Sequence, residues 1–222
     1  LQIAMHKNIK NLLEIKDKVK HKLNPNNKFP NIIAVSKTFK IDDIMPLIDY
    51  GHIDFGENKV QEAVNKWSDV KSTYKNIKLH LIGKLQTNKV KNVIPLFDYI
   101  HSLDSIKLAK KISEEQKKIN KYLKIFIQIN IGNEIQKNGI NSEELSEFYN
   151  ECKNKLDLDI IGLMCIPPQN SSARSFFLKM KDLNDSLGLK ELSMGMSSDY
   201  LEATEFSATY LRIGSKIFGE RS

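Results

Sequence analysis

Asn31-Ile-Ile-Ala-Val-Ser-Lys-Thr38 is the first strongly apolar stretch of this chain, and a lysine, Lys37, stands at its end. Its β-branched residues predict a short buried strand. Seven more short β-branched runs follow, and the residues between successive runs carry apolar side chains at helical spacing. Alternation of strand and helix predicts a parallel sheet, and eight strands is the number that closes a (β/α)8 barrel. We therefore expect an α/β fold of the TIM-barrel type.

The predicted strands cover residues 32–35, 52–55, 79–82, 99–101, 124–130, 159–163, 191–193 and 209–213. An amphipathic stripe before them, from Met5 to Leu23, predicts an extra helix at the N-terminus. Only residues 214–222 follow the last predicted strand, which is too few for a full-length helix. We expect the N-terminal helix to cover the gap beside strand eight, so that residues 1–222 form a single barrel domain.

The composition describes a basic chain without a basic segment. The 34 Lys and Arg residues exceed the 27 Asp and Glu residues by seven, but the positive charge is spread along the chain. No basic arm and no run of alternating basic and aromatic residues occurs, so nucleic-acid binding is not indicated. Cys152 and Cys165 are too few for a disulfide framework, and no apolar run reaches 18 residues. We expect a soluble cytoplasmic protein that does not enter membranes and, since the sequence shows no dedicated interface, a monomer.

Two short loops rich in small residues follow the seventh and eighth predicted strands. They are Ser193-Met-Gly-Met-Ser197 and Arg212-Ile-Gly-Ser215. In barrels of this type the loops after these two strands commonly bind phosphate groups. Gly195 and Gly214 let backbone N–H groups approach an anion closely, and the serines of both loops add hydroxyl donors. The two loops therefore predict a phosphate site at one mouth of the barrel.

Lys37 ends the first predicted strand and can reach the same mouth. A lysine amine forms a Schiff base with an aldehyde once the amine has lost its proton. Arg212 ends the eighth strand, and an arginine beside a pyridine nitrogen would keep that nitrogen unprotonated. With the two loops, these residues indicate a site for a phosphorylated aldehyde. The alternatives are a solvated Lys37 and an ion pair from Arg212 to Glu202 or Glu205.

Six stretches of this chain together resemble the pyridoxal phosphate homeostasis proteins, which are small single-domain relatives of the alanine racemase barrel. The stretches are Ile33-Ala-Val-Ser-Lys-Thr38, Phe55-Gly-Glu-Asn-Lys-Val-Gln-Glu62, Leu79-His-Leu-Ile-Gly-Lys-Leu-Gln-Thr-Asn-Lys89, Ile161-Gly-Leu-Met-Cys-Ile-Pro-Pro168, Leu192-Ser-Met-Gly-Met-Ser-Ser-Asp199 and Leu211-Arg-Ile-Gly-Ser-Lys-Ile-Phe-Gly-Glu-Arg221. Each stretch alone is weak, but six in the right order on a barrel pattern are specific. Cys165 and Ser215 depart from the family pattern, since threonine is more usual at both positions.

The resemblance implies a cofactor, pyridoxal 5'-phosphate, and a set of residues that bind it. Lys37 would hold the cofactor as a Schiff base, and Arg212 would be the partner of its pyridine nitrogen. The remaining implied cofactor-binding residues, most of them around the phosphate, are Asn58, Ser193, Gly195, Gly214 and Ser215.

The resemblance also bears on whether the protein is an enzyme. Racemization needs acid–base groups on both faces of the substrate carbanion, and racemases of this type take one of them, a tyrosine, from a second domain. This chain ends at Ser222, shortly after the eighth strand, so we expect a protein that holds or delivers the cofactor without turnover of its own. Its partners would be apo-forms of pyridoxal-phosphate enzymes. Two alternatives stay open: a racemase-like enzyme completed by oligomerisation, and a Schiff-base aldolase acting on sugar phosphates.

Several other polar residues are expected to have structural roles only. His52, His80 and His101 lie on or beside strands without a spacing typical of metal ligands, so packing or rim positions are predicted for them. Lys137 is expected to be a solvated charge near the rim.

Overall fold

A closed barrel of eight parallel strands forms the centre of the molecule, in a computed structural model that describes residues 5–136, 138–169 and 171–220. The strands follow one another around the barrel in chain order, and pairing of the last strand with the first closes it. The predicted fold class is confirmed. Lys137, for which we predicted a solvated position, lies outside the described residues.

Helices alternate with the strands and surround them. The strands are β1 Asn31–Val35, β2 Asp54–Glu57, β3 Lys78–Leu81, β4 Tyr99–Leu103, β5 Lys124–Ile129, β6 Asp159–Cys165, β7 Glu191–Ser193 and β8 Tyr210–Ile213. The α-helices are α1 Lys7–Lys22, α2 Ile41–Asp49, α3 Val60–Thr73, α4 Val90–Leu96, α5 Ile106–Ile119, α6 Leu145–Asn150, α7 Ala173–Ser186, α8 Tyr200–Glu205 and α9 Ser215–Phe218. Short 3₁₀ turns precede α4 and α6, and a π-helical turn, Glu151–Lys155, follows α6.

The second strand is where sequence and structure differ most. We predicted it at residues 52–55, but β2 begins at Asp54 and ends at Glu57. The backbone N–H of His52 donates to the carbonyl of Leu47, 2.9 Å away, and so belongs to the turn that ends α2. Gly51 provides the left-handed backbone of that turn, with a φ of 97°. The apolar pattern therefore starts two residues before the sheet does.

Apolar side chains pack in two separate regions. The larger fills the space between the outside of the barrel and the helices, and Trp67, Phe55, Phe97 and Phe177 are completely buried in it. The smaller lies inside the barrel and contains only five buried residues, Ile33, Tyr99, Phe126, Met164 and Tyr210. The barrel interior therefore has room for polar side chains, which the site below uses.

The N-terminal helix α1 covers the side of the barrel next to β8, as predicted. It packs against α9, α8 and α2. Leu12 and Val19 are completely buried on its inner face. The Asn11 side-chain amide donates to the carbonyl of Ile217 in α9, at 2.8 Å. Because α9 is only one turn long, α1 takes the place of the eighth outer helix.

We expect deletion of residues 1–24 to abolish cooperative unfolding, because it removes this cover and exposes the apolar surface beneath it. A milder control is Leu12→Ala, which leaves a cavity and should lower the free energy of unfolding by about 3 kcal/mol while cooperativity remains. Urea unfolding followed by circular dichroism measures both. A truncated protein that unfolds with the slope of the parent would show that α1 is dispensable.

Candidate functional site

A cavity of about 390 Å³ opens at the end of the barrel where the strands terminate. Its described lining is Val35, Lys37, Phe39, Asn58, Ile82, Ile166, Met196, Ser197, Ser198, Arg212, Gly214, Ser215 and Gly219. Five of the seven residues predicted for the cofactor site, namely Lys37, Asn58, Arg212, Gly214 and Ser215, therefore meet in one place. The other two, Ser193 and Gly195, are not among the described residues that line the cavity.

Lys37 stands two residues beyond the end of β1 and is half-buried. The residue after it, Thr38, has a left-handed backbone with a φ of 70°, a conformation that threonine rarely adopts. Its N–H donates to Glu62 Oε1 of α3, at 2.5 Å. The chain therefore turns sharply after Lys37, and a hydrogen bond from a neighbouring helix holds the turn.

A buried carboxylate holds the chain on the other side of Lys37. Glu57 at the end of β2 is completely buried, and its Oε1 accepts from the Ser36 hydroxyl at 2.7 Å. The same oxygen accepts from Trp67 Nε1 at 2.9 Å and from Lys66 Nζ at 2.9 Å. Lys66 Nζ also donates to the backbone carbonyl of Ser36, 2.9 Å away. Glu57 and Lys66 thus fix the residue before Lys37 through both its side chain and its backbone.

Lys66 joins the two carboxylates into one cluster. Its Nζ lies 3.1 Å from Glu62 Oε1, and its side chain is only 9% exposed. Burial works against ionisation of Glu62, but the Thr38 N–H and the Lys66 amine outweigh it and hold the pKa of that carboxyl below its ordinary value. We call Glu57, Glu62 and Lys66 the lysine-loop clamp. Sequence reasoning did not find it, since its members come from a strand and a helix and become neighbours only through folding.

Arg212 is a buried cation on β8 that faces the cavity from inside the barrel. It is 4% exposed, and its guanidinium donates from Nη1 to Ser193 Oγ at 2.6 Å and from Nη2 to the carbonyl of Cys165 at 2.8 Å. Among the described residues it forms no ion pair. Glu205, one of the alternatives considered for it, pairs instead with Lys22 and Arg174. A guanidinium has five N–H donors, so donors remain for a ligand.

The two predicted residues outside the cavity wall support it from behind. Ser193 is completely buried, and its hydroxyl is engaged with Arg212. Gly195 has a φ of 92°, and a Cβ there would lie 2.6 Å from the Cβ of Ala203. Its carbonyl accepts from the backbone N–H of Arg212 at 2.9 Å. Only glycine fits this position, and the bond attaches the loop after β7 to β8.

Asn58 lines the cavity from the loop after β2, and close packing of the next loop places it there. A Cβ on Gly83, which follows β3, would lie 2.2 Å from the backbone oxygen of Asn58. Any side chain at Gly83 would therefore push Asn58 out of position. The Gly-containing run after β3 is needed for this approach.

The loops after β7 and β8 present backbone donors to the cavity. Within the part of the chain that the structure describes, the N–H groups of Ser197, Ser198 and Ser215 have no protein acceptor. Their hydroxyls lie at the same wall. Grouped backbone N–H groups of this kind form a concave site for an anion. The geometry of this wall is therefore compatible with an anion, and the phosphate site stays a prediction.

Cys165, which replaces a threonine of the family pattern, keeps its side chain out of this chemistry. Burial raises the pKa of its thiol to about 12. Its contribution to the site is its backbone carbonyl, which accepts from Arg212. The substitution therefore leaves the guanidinium contact intact.

The histidines occupy positions that the sequence did not reveal. His80 and His101 are completely buried inside the barrel and hydrogen-bond to each other, with His80 Nδ1 2.9 Å from His101 Nε2. His101 Nδ1 lies 2.7 Å from Ser193 Oγ, so the pair is connected to Arg212. The predicted packing role is incomplete, because both rings take part in a polar network. Their inward direction depends on strand register, which local sequence does not specify.

Two general surveys complete the description. No helix in residues 5–136, 138–169 and 171–220 is long and apolar enough to cross a membrane. The same ranges contain no cluster of three or more His, Cys, Asp or Glu side chains that could hold a metal ion.

Fold and site together define a (β/α)8 barrel with a cavity at its strand ends that a lysine and a buried arginine line. The family model for the alanine racemase N-terminal domain matches residues 8–222. This chain therefore belongs to that family.

Two curated relatives from distant bacteria carry the same name. The pyridoxal phosphate homeostasis protein of Aquifex aeolicus is 37% identical over 199 residues, which cover 86% of each chain. The protein of that name from Escherichia coli K12 is 34% identical over 223 residues, or 95% of each chain.

Solved structures give the same family and extend the fold to racemases. PipY of Synechococcus elongatus, solved with PLP bound, superposes with a TM-score of 0.84 at 30% identity and covers 96% of this chain and 100% of its own. Alanine racemase of Clostridium difficile superposes with a TM-score of 0.71 at 16% identity, over 97% of this chain and 57% of its own. The second likeness shows a shared barrel fold.

Loss of the clamp amine should destabilise the protein strongly. Lys66→Met removes the cation that pairs with the buried Glu57, so we expect the free energy of unfolding to fall by about 3 kcal/mol. Lys117→Met on the exposed face of α5 is a matched control and should change stability by less than about 0.5 kcal/mol. Chemical unfolding at neutral pH measures both variants. A loss below about 1 kcal/mol for Lys66→Met would contradict the clamp.

The buried histidines should make stability fall as the pH falls. Burial lowers the pKa of His80 in spite of its bond to Asp54, and burial, with His80 and Arg212, lowers the pKa of His101 well below 6.5. Below about pH 6.5 the unfolded chain takes up protons at these residues and the folded chain does not. Burial also lowers the pKa of His52, to about 4, so this residue adds to the same effect. We therefore expect a loss of about 4 kcal/mol between pH 6.5 and 5, at up to 1.4 kcal/mol per pH unit for each histidine.

Urea unfolding at several pH values between 7.5 and 5 tests this expectation. The window lies above the ordinary range of carboxyl groups, so the lowered pKa of Glu62 contributes little. His21→Gln, at an exposed residue of α1, should leave the pH dependence unchanged. Constant stability across the window would show that the buried rings take up protons in the folded protein as readily as in the unfolded chain.

Proposed function

We propose that this protein binds pyridoxal 5'-phosphate in the cavity at the strand ends and serves intracellular homeostasis of this vitamin B6 cofactor. The names of the curated relatives support the role, and PipY, solved with PLP bound, supports the ligand. One observation of the structure carries the proposal. A lysine, a buried arginine without a carboxylate partner among the described residues, and a wall of unpaired backbone N–H groups line the same cavity.

The residues present fit the chemistry of this ligand group by group. A cavity of about 390 Å³ falls in the size range of small-molecule sites. The Lys37 amine can form a covalent Schiff base with the aldehyde. The N–H groups and hydroxyls of Ser197, Ser198 and Ser215 can hold the phosphate, and Arg212 can donate to the pyridine nitrogen.

The electrostatics of Arg212 favour storage over catalysis. Pyridoxal phosphate, when bound, supplies an electron sink, and that sink is strongest when the pyridine nitrogen is protonated. A guanidinium keeps its own proton and offers only donors, so it holds the nitrogen unprotonated. Arg212 would therefore bind the ring and at the same time weaken its reactivity.

The other lining residues support a protein without turnover of its own. Apart from Lys37 and Arg212, the described lining consists of apolar, amide, hydroxyl and glycine residues. A racemase or transaminase needs positioned groups that exchange protons near neutral pH on the substrate carbon. Lys37 is the one described lining residue that can act as such a base. We propose that the protein holds the cofactor and passes it to apo-forms of pyridoxal-phosphate enzymes, as a cytoplasmic monomer.

Covalent trapping tests the site. The purified protein with added pyridoxal phosphate should be yellow, should lose its colour with borohydride, and should carry the reduced adduct on Lys37 in a peptide mass map. Lys37→Ala should lose the adduct and should still bind the cofactor through its phosphate, more weakly. Lys59→Ala, an exposed lysine beside Asn58, is the matched control and should behave as the parent. An adduct on another lysine would overturn the assignment.

A second measurement separates the proposed role from the two alternatives. Incubation with L-amino acids in deuterium oxide should leave the α-proton in place on the timescale of enzymatic turnover. Exchange at enzyme-like rates would indicate a racemase-like enzyme. A colourless protein that traps a sugar phosphate on Lys37 would indicate an aldolase.

A further inference from the structure

Five buried side chains form an unbroken line of hydrogen bonds through the inside of the barrel. It starts at Arg212, passes through Ser193 at 2.6 Å and His101 at 2.7 Å, continues to His80 at 2.9 Å and ends on Asp54 at 2.8 Å. The five residues come from five different strands, β8, β7, β4, β3 and β2. We call them the barrel relay. It runs from the cavity to the opposite end of β2, where Asp54 is the first residue of the strand.

The relay is closed off from solvent along its length. Ser193, His80 and His101 are completely buried, and Arg212 and Asp54 are 4% and 7% exposed. Aromatic rings pack on the imidazoles. Tyr99 stacks on His80 with ring centroids 4.1 Å apart, and Phe126 stacks on His101 at 4.4 Å. Water therefore has little room to replace any of the four bonds, and each must come from the protein.

Burial lowers the pKa of both histidines, so the rings are neutral near pH 7. With neutral rings, the two ends of the relay decide the direction of every bond in it. A guanidinium can only donate, and an ionised carboxylate can only accept. His80 must then donate from Nε2 to Asp54, which leaves its Nδ1 to accept from His101 Nε2. His101 Nδ1 in turn accepts from the Ser193 hydroxyl. The Ser193 hydroxyl hydrogen is thereby committed, and its lone pairs face Arg212.

The opposite arrangement is excluded by the same two ends. With a proton on Nδ1 of each ring, His101 would donate to Ser193, and the lone pair of His80 Nε2 would face the carboxylate of Asp54. Two acceptors would then meet at 2.8 Å in a buried position, which is strongly unfavourable. Neutral imidazoles with the proton on Nε2 are the form that satisfies all five residues.

We propose that Asp54, His80 and His101 are positioning residues for the cofactor site and act through Ser193 on Arg212. The carboxylate sets the tautomer of both histidines, the histidines set the direction of the Ser193 hydroxyl, and that hydroxyl holds the Arg212 guanidinium in its plane toward the cavity. In naming pyridoxal phosphate as the ligand that Arg212 then meets, this inference rests on the proposed function. The geometry of the relay itself does not depend on any ligand.

The opposite charges at the two ends explain how the relay stabilises the buried Arg212. Arg212 has no carboxylate in contact among the described residues, and burial of an unpaired cation is costly. The relay joins this cation to the anion at Asp54 by four bonds whose dipoles all point the same way. Aligned bonds of this kind polarise and strengthen one another in a low-dielectric interior. Arg212 thereby stays protonated and fixed without a carboxylate inside the cavity, where one would repel a phosphate.

The first test needs no cofactor. Long-range ¹H–¹⁵N spectra of histidine-labelled protein at pH 7.5 should show His80 and His101 as neutral rings with the proton on Nε2. Only three arginines occur in the chain, so the guanidinium signals of Arg212 can be assigned, and they should be sharp and resolved. In Asp54→Asn the amide can donate as well as accept, so both rings should populate two tautomers and the Arg212 signals should broaden.

The second test adds pyridoxal phosphate. Asp54→Asn and His101→Phe should weaken binding about fivefold to tenfold and shift the absorbance maximum of the bound cofactor, because Arg212 is less well held. His52→Gln is the matched control, since His52 Nε2 bonds to the backbone oxygen of Asp54, at 2.9 Å, and not to its carboxylate, and the ring stands outside the relay. It should keep the affinity and spectrum of the parent. Thermal unfolding verifies that each variant is folded. If His101→Phe does not fold, the nearly isosteric Asp54→Asn is sufficient for the test.

The outcomes separate this inference from the proposed function. A proton on Nδ1 of either ring in the parent protein would overturn the relay, whatever the ligand. So would an Asp54→Asn protein that keeps the tautomers, the Arg212 signals and the cofactor spectrum of the parent. A parent protein that fails to bind pyridoxal phosphate would instead refute the proposed function, and the spectra without cofactor would still decide the relay.

Discussion

The burial of one guanidinium inside the barrel is the constraint on which the rest of the site depends. A cation away from water must have its N–H groups hydrogen-bonded, or its burial costs several kcal/mol. Arg212 meets part of this requirement with a hydroxyl and a backbone carbonyl, both neutral, so its charge and its remaining N–H donors are available to the cavity. The polar interior of the barrel, the small size of its apolar cluster and the closed strand order all serve to hold this one group.

The fold divides its work between two regions of different chemistry. The apolar layer between strands and helices contains most of the buried hydrophobic side chains and supplies the stability of the barrel. The barrel interior contributes little of this apolar burial and contains hydrogen-bonded polar residues instead. On the other side of the mouth, the lysine-loop clamp positions the chain around Lys37, as residues of the barrel interior position Arg212. Lys37 and Arg212 are each positioned by residues that lie outside the described lining of the cavity.

Much of this architecture could be predicted from the sequence, since it follows from local patterns. Strand spacing predicted the closed barrel, and the position of Lys37 and Arg212 at strand ends predicted that they would meet. Ser193 was assigned to the ligand by its loop, but its hydroxyl faces the barrel interior. His80 and His101 looked like packing residues, because their contacts depend on the register of strands far apart in the chain. Glu57 and Lys66 escaped prediction for the same reason.

The backbone of Thr38 has a consequence for attempts to improve this protein. A threonine with a φ of 70° is a locally unfavourable choice, which glycine would relieve. Selection for heat resistance alone would therefore favour glycine at this position. Such a change would also widen the range of directions in which the amine of Lys37 points, and this direction decides whether the amine reaches the ligand. Thermostability and the precise direction of the amine would then compete at this position.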